Sequence, residues 1–95
     1  MRCRFTLQAE EDLAELGERI ASVDPRAAQA VLDLIQQKCR LLCDYPALGR
    51  EREELAHGLR SLPANPFVIF YRPVADELQI IRILHGSRDI QTVFQ

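Results

Sequence analysis

Nine side chains in the second half of the chain have types that could activate, bind or neutralise a substrate: His57, Arg60, Ser61, Tyr71, Arg72, Arg82, His85, Arg88 and Asp89. Ser61 with either histidine and Asp89 lists the parts of a hydrolase triad, but no G-x-S-x-G turn surrounds the serine. Neither a Gly-rich phosphate loop nor an H-E-x-x-H pair is present. A metal-free ribonuclease needs a base for the 2′-OH, an acid for the leaving oxygen and cations for the developing charge. His85 between Arg82 and Arg88 has those types. The structural alternative is simpler: His85 closes a strand and bonds the backbone, while the arginines pair with Asp76, Glu77 or Asp89. Arg60, between Leu59 and Ser61, suits a buried guanidinium tying a sheet together through its forked donors. Tyr71 and Asp89 are assigned structural roles as well.

The cysteines are Cys3, Cys39 and Cys43, an odd set. The chain opens Met1-Arg2-Cys3-Arg4 and soon turns acidic, unlike a signal peptide, so a disulfide framework is not expected and a cytoplasmic location is. Cys39 and Cys43, four apart, share one face of a helix. With His57 and His85 in other segments, no zinc spacing emerges, and the thiols are read as small buried hydrophobes. Neither metal nor cofactor is expected.

The elements that must position these groups follow from periodicity. Arg2 to Leu7 alternates, with Cys3, Phe5 and Leu7 on one side, as a half-buried strand does. From Gln8, Ala9, Leu13, Leu16 and Ile20 form a helical stripe, with Thr6 as N-cap and Glu10, Glu11 and Asp12 near the positive end of the helix dipole. Gly17 inside that helix suggests close packing on a neighbour. Asp24-Pro25 restarts a helix, with Ala28, Val31, Ile35, Cys39 and Leu42 on a wide stripe that ends at Tyr45-Pro46. So short a connection makes an antiparallel hairpin. After an acidic loop at Arg50 to Glu54, strands are expected at Ala56 to Leu62, Phe67 to Arg72 and Leu78 to Leu84, with a turn from Pro73 to Glu77. Phe67 to Arg72 is apolar on both faces and belongs in mid-sheet. A last helical turn, capped by Ser87 or Asp89, reaches Phe94. The expected fold is α+β, in the order β-α-α-β-β-β: a helical hairpin packed on a small, twisted, mainly antiparallel sheet.

Composition narrows the function. The 95 residues are expected to form a single domain, and 47% hydrophobic with 27% charged residues describes a globular chain rather than a disordered one. No apolar run approaches the ~20 residues that span a bilayer, so no membrane partner is expected. The net charge of −2 argues against direct nucleic-acid binding, which rests on a basic excess. From Gly58 onward the only cations are Arg60, Arg72, Arg82 and Arg88, which suggests placed guanidinium groups.

Gly58-Leu59-Arg60-Ser61, Phe67-Val68-Ile69-Phe70-Tyr71-Arg72 and Ile81-Arg82-Ile83-Leu84-His85-Gly86-Ser87-Arg88-Asp89 together resemble the signature of the RelE/ParE toxin superfamily, most nearly its ParE branch. Ala9, Asp12 and Leu13 are similar to its first-helix pattern, and Pro46 with Gly49 to the loop after its second helix. The resemblance implies the toxin of a bacterial type II toxin–antitoxin pair, of the plasmid-stabilisation kind, neutralised by a ParD-like antitoxin. ParE-like members poison DNA gyrase and have no established catalytic set. RelE-like members cut mRNA on the ribosome, but their two lysines fall at Ala56 and Gly58 here, their arginine at Val68 and their C-terminal tyrosine at Phe94. Only Arg88 matches. Gyrase inhibition by binding is therefore expected, ahead of RNA cleavage or a non-toxic interaction module on the same fold. Arg82, His85, Arg88 and Phe94 are the expected target surface, being arginines and a terminal aromatic of the sort that anchors interfaces. Leu16, Ile20, Val31 and Ile35 are the expected antitoxin seat, on the stripes of the hairpin. A dimer, or a hetero-oligomer with the antitoxin, is compatible with those leucine-rich stripes.

Overall fold

The computed structural model describes all 95 residues. In chain order it contains β1 (Arg2–Phe5), α1 (Leu7–Ala21), α2 (Pro25–Asp44), β2 (Arg50–Glu51), β3 (Arg60–Ala64), β4 (Phe67–Val74), β5 (Glu77–His85) and α3 (Ile90–Val93). The sheet order is β1-β5-β4-β3-β2, with β1 parallel to β5 and every other pair antiparallel. The helical hairpin covers one face.

The N-caps of both long helices are read correctly from sequence. The Thr6 hydroxyl accepts from Ala9 N at 3.1 Å, and the Asp24 carboxylate accepts from Arg26 N and Ala27 N at 3.0 and 3.3 Å. Each satisfies donors that have no partner within the helix. Leu7, expected on the inner side of the first strand, is instead the first residue of α1 and is 71% exposed. Because Thr6 acts as the cap, the strand must end at Phe5.

Gly17 does not mark a forced close approach. A Cβ there would meet Leu32 at an ordinary 3.8 Å. Gly17→Ala should therefore stabilise the fold by about 0.5–1 kcal/mol through helix propensity. Urea unfolding midpoints for the two proteins would show it, and a destabilised variant would reveal crowding between the helices.

The sheet departs from expectation at its prolines. The strand expected at Ala56 to Leu62 lies at Arg60–Ala64 and runs through Pro63. Because β2 reaches only to Ser61, Pro63 sits where β3 is already a free edge and needs no ladder donor. Likewise β4 continues through Pro73 to Val74, because β3 stops opposite Tyr71. The turn shrinks to Ala75 and Asp76. Within the expected acidic loop, Arg50–Glu51 pairs with β3 as an added edge strand.

As its composition predicts, β4 is central. Ile69 and Tyr71 enter the main core beneath the hairpin, with Leu42, Leu78 and Ile80. Phe70 lies on the opposite face with Leu59 and Leu84, under the 52–59 loop and α3. At the β4–β5 pairing the register passes from Phe70↔Arg82 to Tyr71↔Ile80, so Ile81 has no opposing residue and the strand bends there. No helix is long and apolar enough to cross a membrane.

Candidate functional site

The bend in β5 explains Arg82. Beyond Phe5, Thr6 finishes the parallel ladder: its N–H donates to Ile80 O at 3.0 Å and its hydroxyl to Ile81 O at 2.9 Å. From Arg82 on, the outer edge of β5 has no strand beside it. Asp12, further along α1, fills that gap. Its Oδ2 accepts from Ile83 N at 3.0 Å and from Arg82 Nε at 2.7 Å, while Oδ1 accepts from Arg82 Nη2 at 3.0 Å. These bonds raise the Arg82 pKa further above its ordinary high value. The guanidinium is thus bound to the helix, with only 16% of the side chain exposed.

His85 and Arg88 lie past this edge, in an open groove of about 740 Å³ between α1 and the end of β5. His85 Nδ1 accepts from Ser87 N at 3.1 Å and contacts Ser87 Oγ at 2.7 Å, and the ring meets Phe67 edge-on, with centroids 5.5 Å apart. Across the groove stand Leu16, Arg19 and Ile20. Arg19 bonds Glu15 at 2.9 Å. The rim carries Arg88, His85 and the Arg19–Glu15 pair around apolar side chains.

Phe94 is on the other side of the sheet. Its ring packs on Phe70, with centroids 5.0 Å apart, among the residues covered by α3. Asp89 starts α3 and accepts from the Thr92 hydroxyl at 2.6 Å, which holds its carboxyl below the usual range. Of the four residues assigned to a target, the fold therefore brings His85 and Arg88 together, binds Arg82 to Asp12 and places Phe94 apart.

The residues assigned to an antitoxin also divide. Leu16 and Ile35 are buried, and Ile20 and Val31 pack against the same core. Leu16 and Ile20 line the His85–Arg88 groove. Ile35 lines a second groove of about 500 Å³, between α2 and β1, with Phe5, Leu13 and Leu32. That one is almost wholly apolar, and the outer edge of β1 beside it carries no strand.

Arg60 and Tyr71 hold the loop after α2. Arg60 Nη1 donates to Gly49 O at 2.7 Å and Ala47 O at 3.3 Å, and Nη2 to Glu51 at 3.3 Å. The Tyr71 hydroxyl accepts from Gly49 N and donates to Pro46 O, both at 2.8 Å. Arg72 packs over Gly58, whose φ of +74° suits glycine, and its buried Nε has no partner.

No hydrolase constellation is assembled. Ser61 accepts from Arg52 Nη1 at 3.2 Å, His57 is almost fully exposed beside Glu53, and Asp89 serves Thr92. No group of three or more His, Cys, Asp or Glu residues is placed to hold a metal ion. Of the positions that correspond to RelE-type catalytic groups, Ala56, Val68 and Phe94 converge in one apolar cluster around Leu59, Phe70 and Leu84. Sequence reasoning missed Arg19 and Phe67 as groove residues. Arg19 carried a visible pairing signal with Glu15, but nothing local tied it to the far end of β5.

A family model described as the ParE toxin of the type II toxin–antitoxin system parDE matches residues 3–90. Toxin ParE3 of Caulobacter vibrioides is 34% identical over 65 residues, covering 68% of this chain and 65% of that protein, just under two thirds of its length. Putative toxin Y4kP of Sinorhizobium fredii is 33% identical over 87 residues, 92% of this chain and 90% of that one. Among solved structures, a chain of the chromosomal ParDE TA system from P. aeruginosa superposes with a TM-score of 0.76 at 26% identity, covering 90% of this chain and 95% of that chain.

Proposed function

The chain belongs to the ParE toxin family of type II toxin–antitoxin systems, and on that premise we propose that it acts by binding DNA gyrase rather than by catalysis, and that a ParD-like antitoxin neutralises it. The observation that carries the non-catalytic reading is the apolar cluster. Where a RelE-type site needs lysine, arginine and tyrosine, Ala56, Val68 and Phe94 pack with Leu59, Phe70 and Leu84. Alanine, valine and phenylalanine neither move a proton nor stabilise a developing charge. The chain's remaining means of action is its surface.

The groove holding His85 and Arg88 is the proposed contact with gyrase. It combines an apolar floor at Leu16, Ile20 and Phe67 with Arg88 and the Glu15-paired Arg19 at its rim, a composition that suits a protein partner offering apolar side chains and an acidic group opposite Arg88. Arg88→Ala, distant from the main core, should weaken binding to purified gyrase about tenfold or more while leaving the unfolding midpoint unchanged. Unaltered gyrase binding by a folded Arg88→Ala protein would reject this placement.

The apolar groove between α2 and β1 is the proposed seat of the antitoxin. An amphipathic segment there would bury Phe5, Leu13 and Leu32, or add a strand to the open edge of β1. Hydrogen exchange with and without antitoxin should show new amide protection within Ala14 to Leu42. No added protection along that stretch would remove the hairpin from the antitoxin interface.

A further inference from the structure

We propose that Cys3 and Cys39 form a reversible intramolecular disulfide on exposure to peroxide, fastening β1 to α2 across the mouth of the apolar groove. The three thiols of this chain, far apart in sequence, meet on one cavity wall: Cys3 from β1, and Cys39 and Cys43 one helical turn apart on α2. Cys3 is exposed, Cys39 buried and Cys43 intermediate. The groove, about 500 Å³ in volume, is lined by both Cys3 and Cys39 and has room for a hydrogen peroxide molecule.

The three sulfurs are not equivalent. Contact with Cys3 pulls the Cys39 thiol below its ordinary value, while the same contact, followed by burial, raises Cys3. Burial raises Cys43. Cys3 and Cys39 are each other's chief influence, so we take Cys39, the thiol held lower, as the attacking group and Cys3, on the facing strand, as its resolving partner. In the first step the Cys39 thiolate attacks one oxygen of hydrogen peroxide, breaking the O–O bond. Cys39 becomes a sulfenic acid, and the departing hydroxide takes a proton to leave as water. In the second, the Cys3 sulfur attacks the Cys39 sulfur, losing its proton as the sulfenic hydroxyl departs as a second water. Two thiols are oxidised by two electrons and one peroxide is reduced to two waters.

Closing the bond would draw β1 toward α2 rather than the reverse. Cys39 belongs to a twenty-residue helix packed in the core, whereas β1 is an edge strand whose only strand neighbour is β5 and which is anchored to the core by Phe5. The bonded state would join the first strand to the second helix and restrict a long loop in the unfolded chain. The bond is a property of the chain alone, and its test needs neither gyrase nor antitoxin.

The experiment treats the purified full-length protein with hydrogen peroxide, digests it without reductant and maps linked peptides by mass spectrometry. The expected product is a Cys3–Cys39 peptide two hydrogens lighter than its parts, lost on adding dithiothreitol. Its formation should raise the thermal midpoint by roughly 10 °C. Cys43→Ser should retain the link and Cys3→Ser should abolish it. A Cys39–Cys43 link, a Cys3–Cys43 link, a disulfide-joined dimer or sulfinic acid alone would each overturn the proposal.

Discussion

Asp12→Ala should cost the fold about 3–5 kcal/mol, the range for removing one partner of a buried ion pair. Asp12 and Arg82 are 10% and 16% exposed, so solvent does little to replace either partner. Losing the carboxylate leaves a mostly buried guanidinium without its counter-charge and Ile83 N without its acceptor at an edge no strand covers. For a domain with about 5–10 kcal/mol in all, that leaves little margin. Replacing both partners, as Asp12→Leu with Arg82→Met, should recover much of the loss, because the expensive state is the half-removed pair. Urea denaturation of the two variants would measure this. A loss below 1 kcal/mol for Asp12→Ala would mean that Arg82 readily swings into solvent, and would return it to the surface available to partners.

Gly49→Ala is the second large effect, expected at about 2–4 kcal/mol. An added Cβ would lie 2.5 Å from the Tyr71 hydroxyl and 2.8 Å from the carbonyl oxygen of Ser61. The carbonyl belongs to a strand paired on both sides at that residue and has little freedom to retreat. The loop would have to lift, breaking the bonds from Tyr71 to Gly49 N and Pro46 O and from Arg60 to Gly49 O. Tyr71→Phe removes the first two of these and should cost about 1–3 kcal/mol. Since both changes break the same contacts, the double variant should lose clearly less than the sum. Full additivity in unfolding experiments would show that the loop and the tyrosine act separately.

The sequence shows which residues share a face, and much less about which distant element lies opposite. Thr6, Asp24 and Pro25 announced the helix starts because capping is decided within four residues. The central place of β4 was legible because both faces of Phe67 to Tyr71 are apolar. The bounds of β3 were not, since Pro63 reads as a strand breaker until it is known that β2 pairs with β3 no further than Ser61. Arg82 was read as a placed guanidinium, but its partner lies 70 residues away and is brought near by the parallel β1–β5 pairing. Phe94, read as a terminal anchor, packs on Phe70 because the chain after Gly86 turns across the open face of the sheet. In the groove, His85 and Arg88 were identified by type. Their neighbours Arg19 and Phe67 come from other elements and carried no sign of that placement.

Gyrase action and RNA cleavage are separated most directly in one paired assay: supercoiling of relaxed plasmid by purified gyrase with added chain, beside ribosome-dependent cleavage of mRNA. Binding without catalysis predicts lost supercoiling, or trapped cleaved DNA, with the mRNA intact. Cut mRNA with gyrase unaffected would contradict it, and would assign to His85 and Arg88 the chemistry that the cluster around Phe70 lacks.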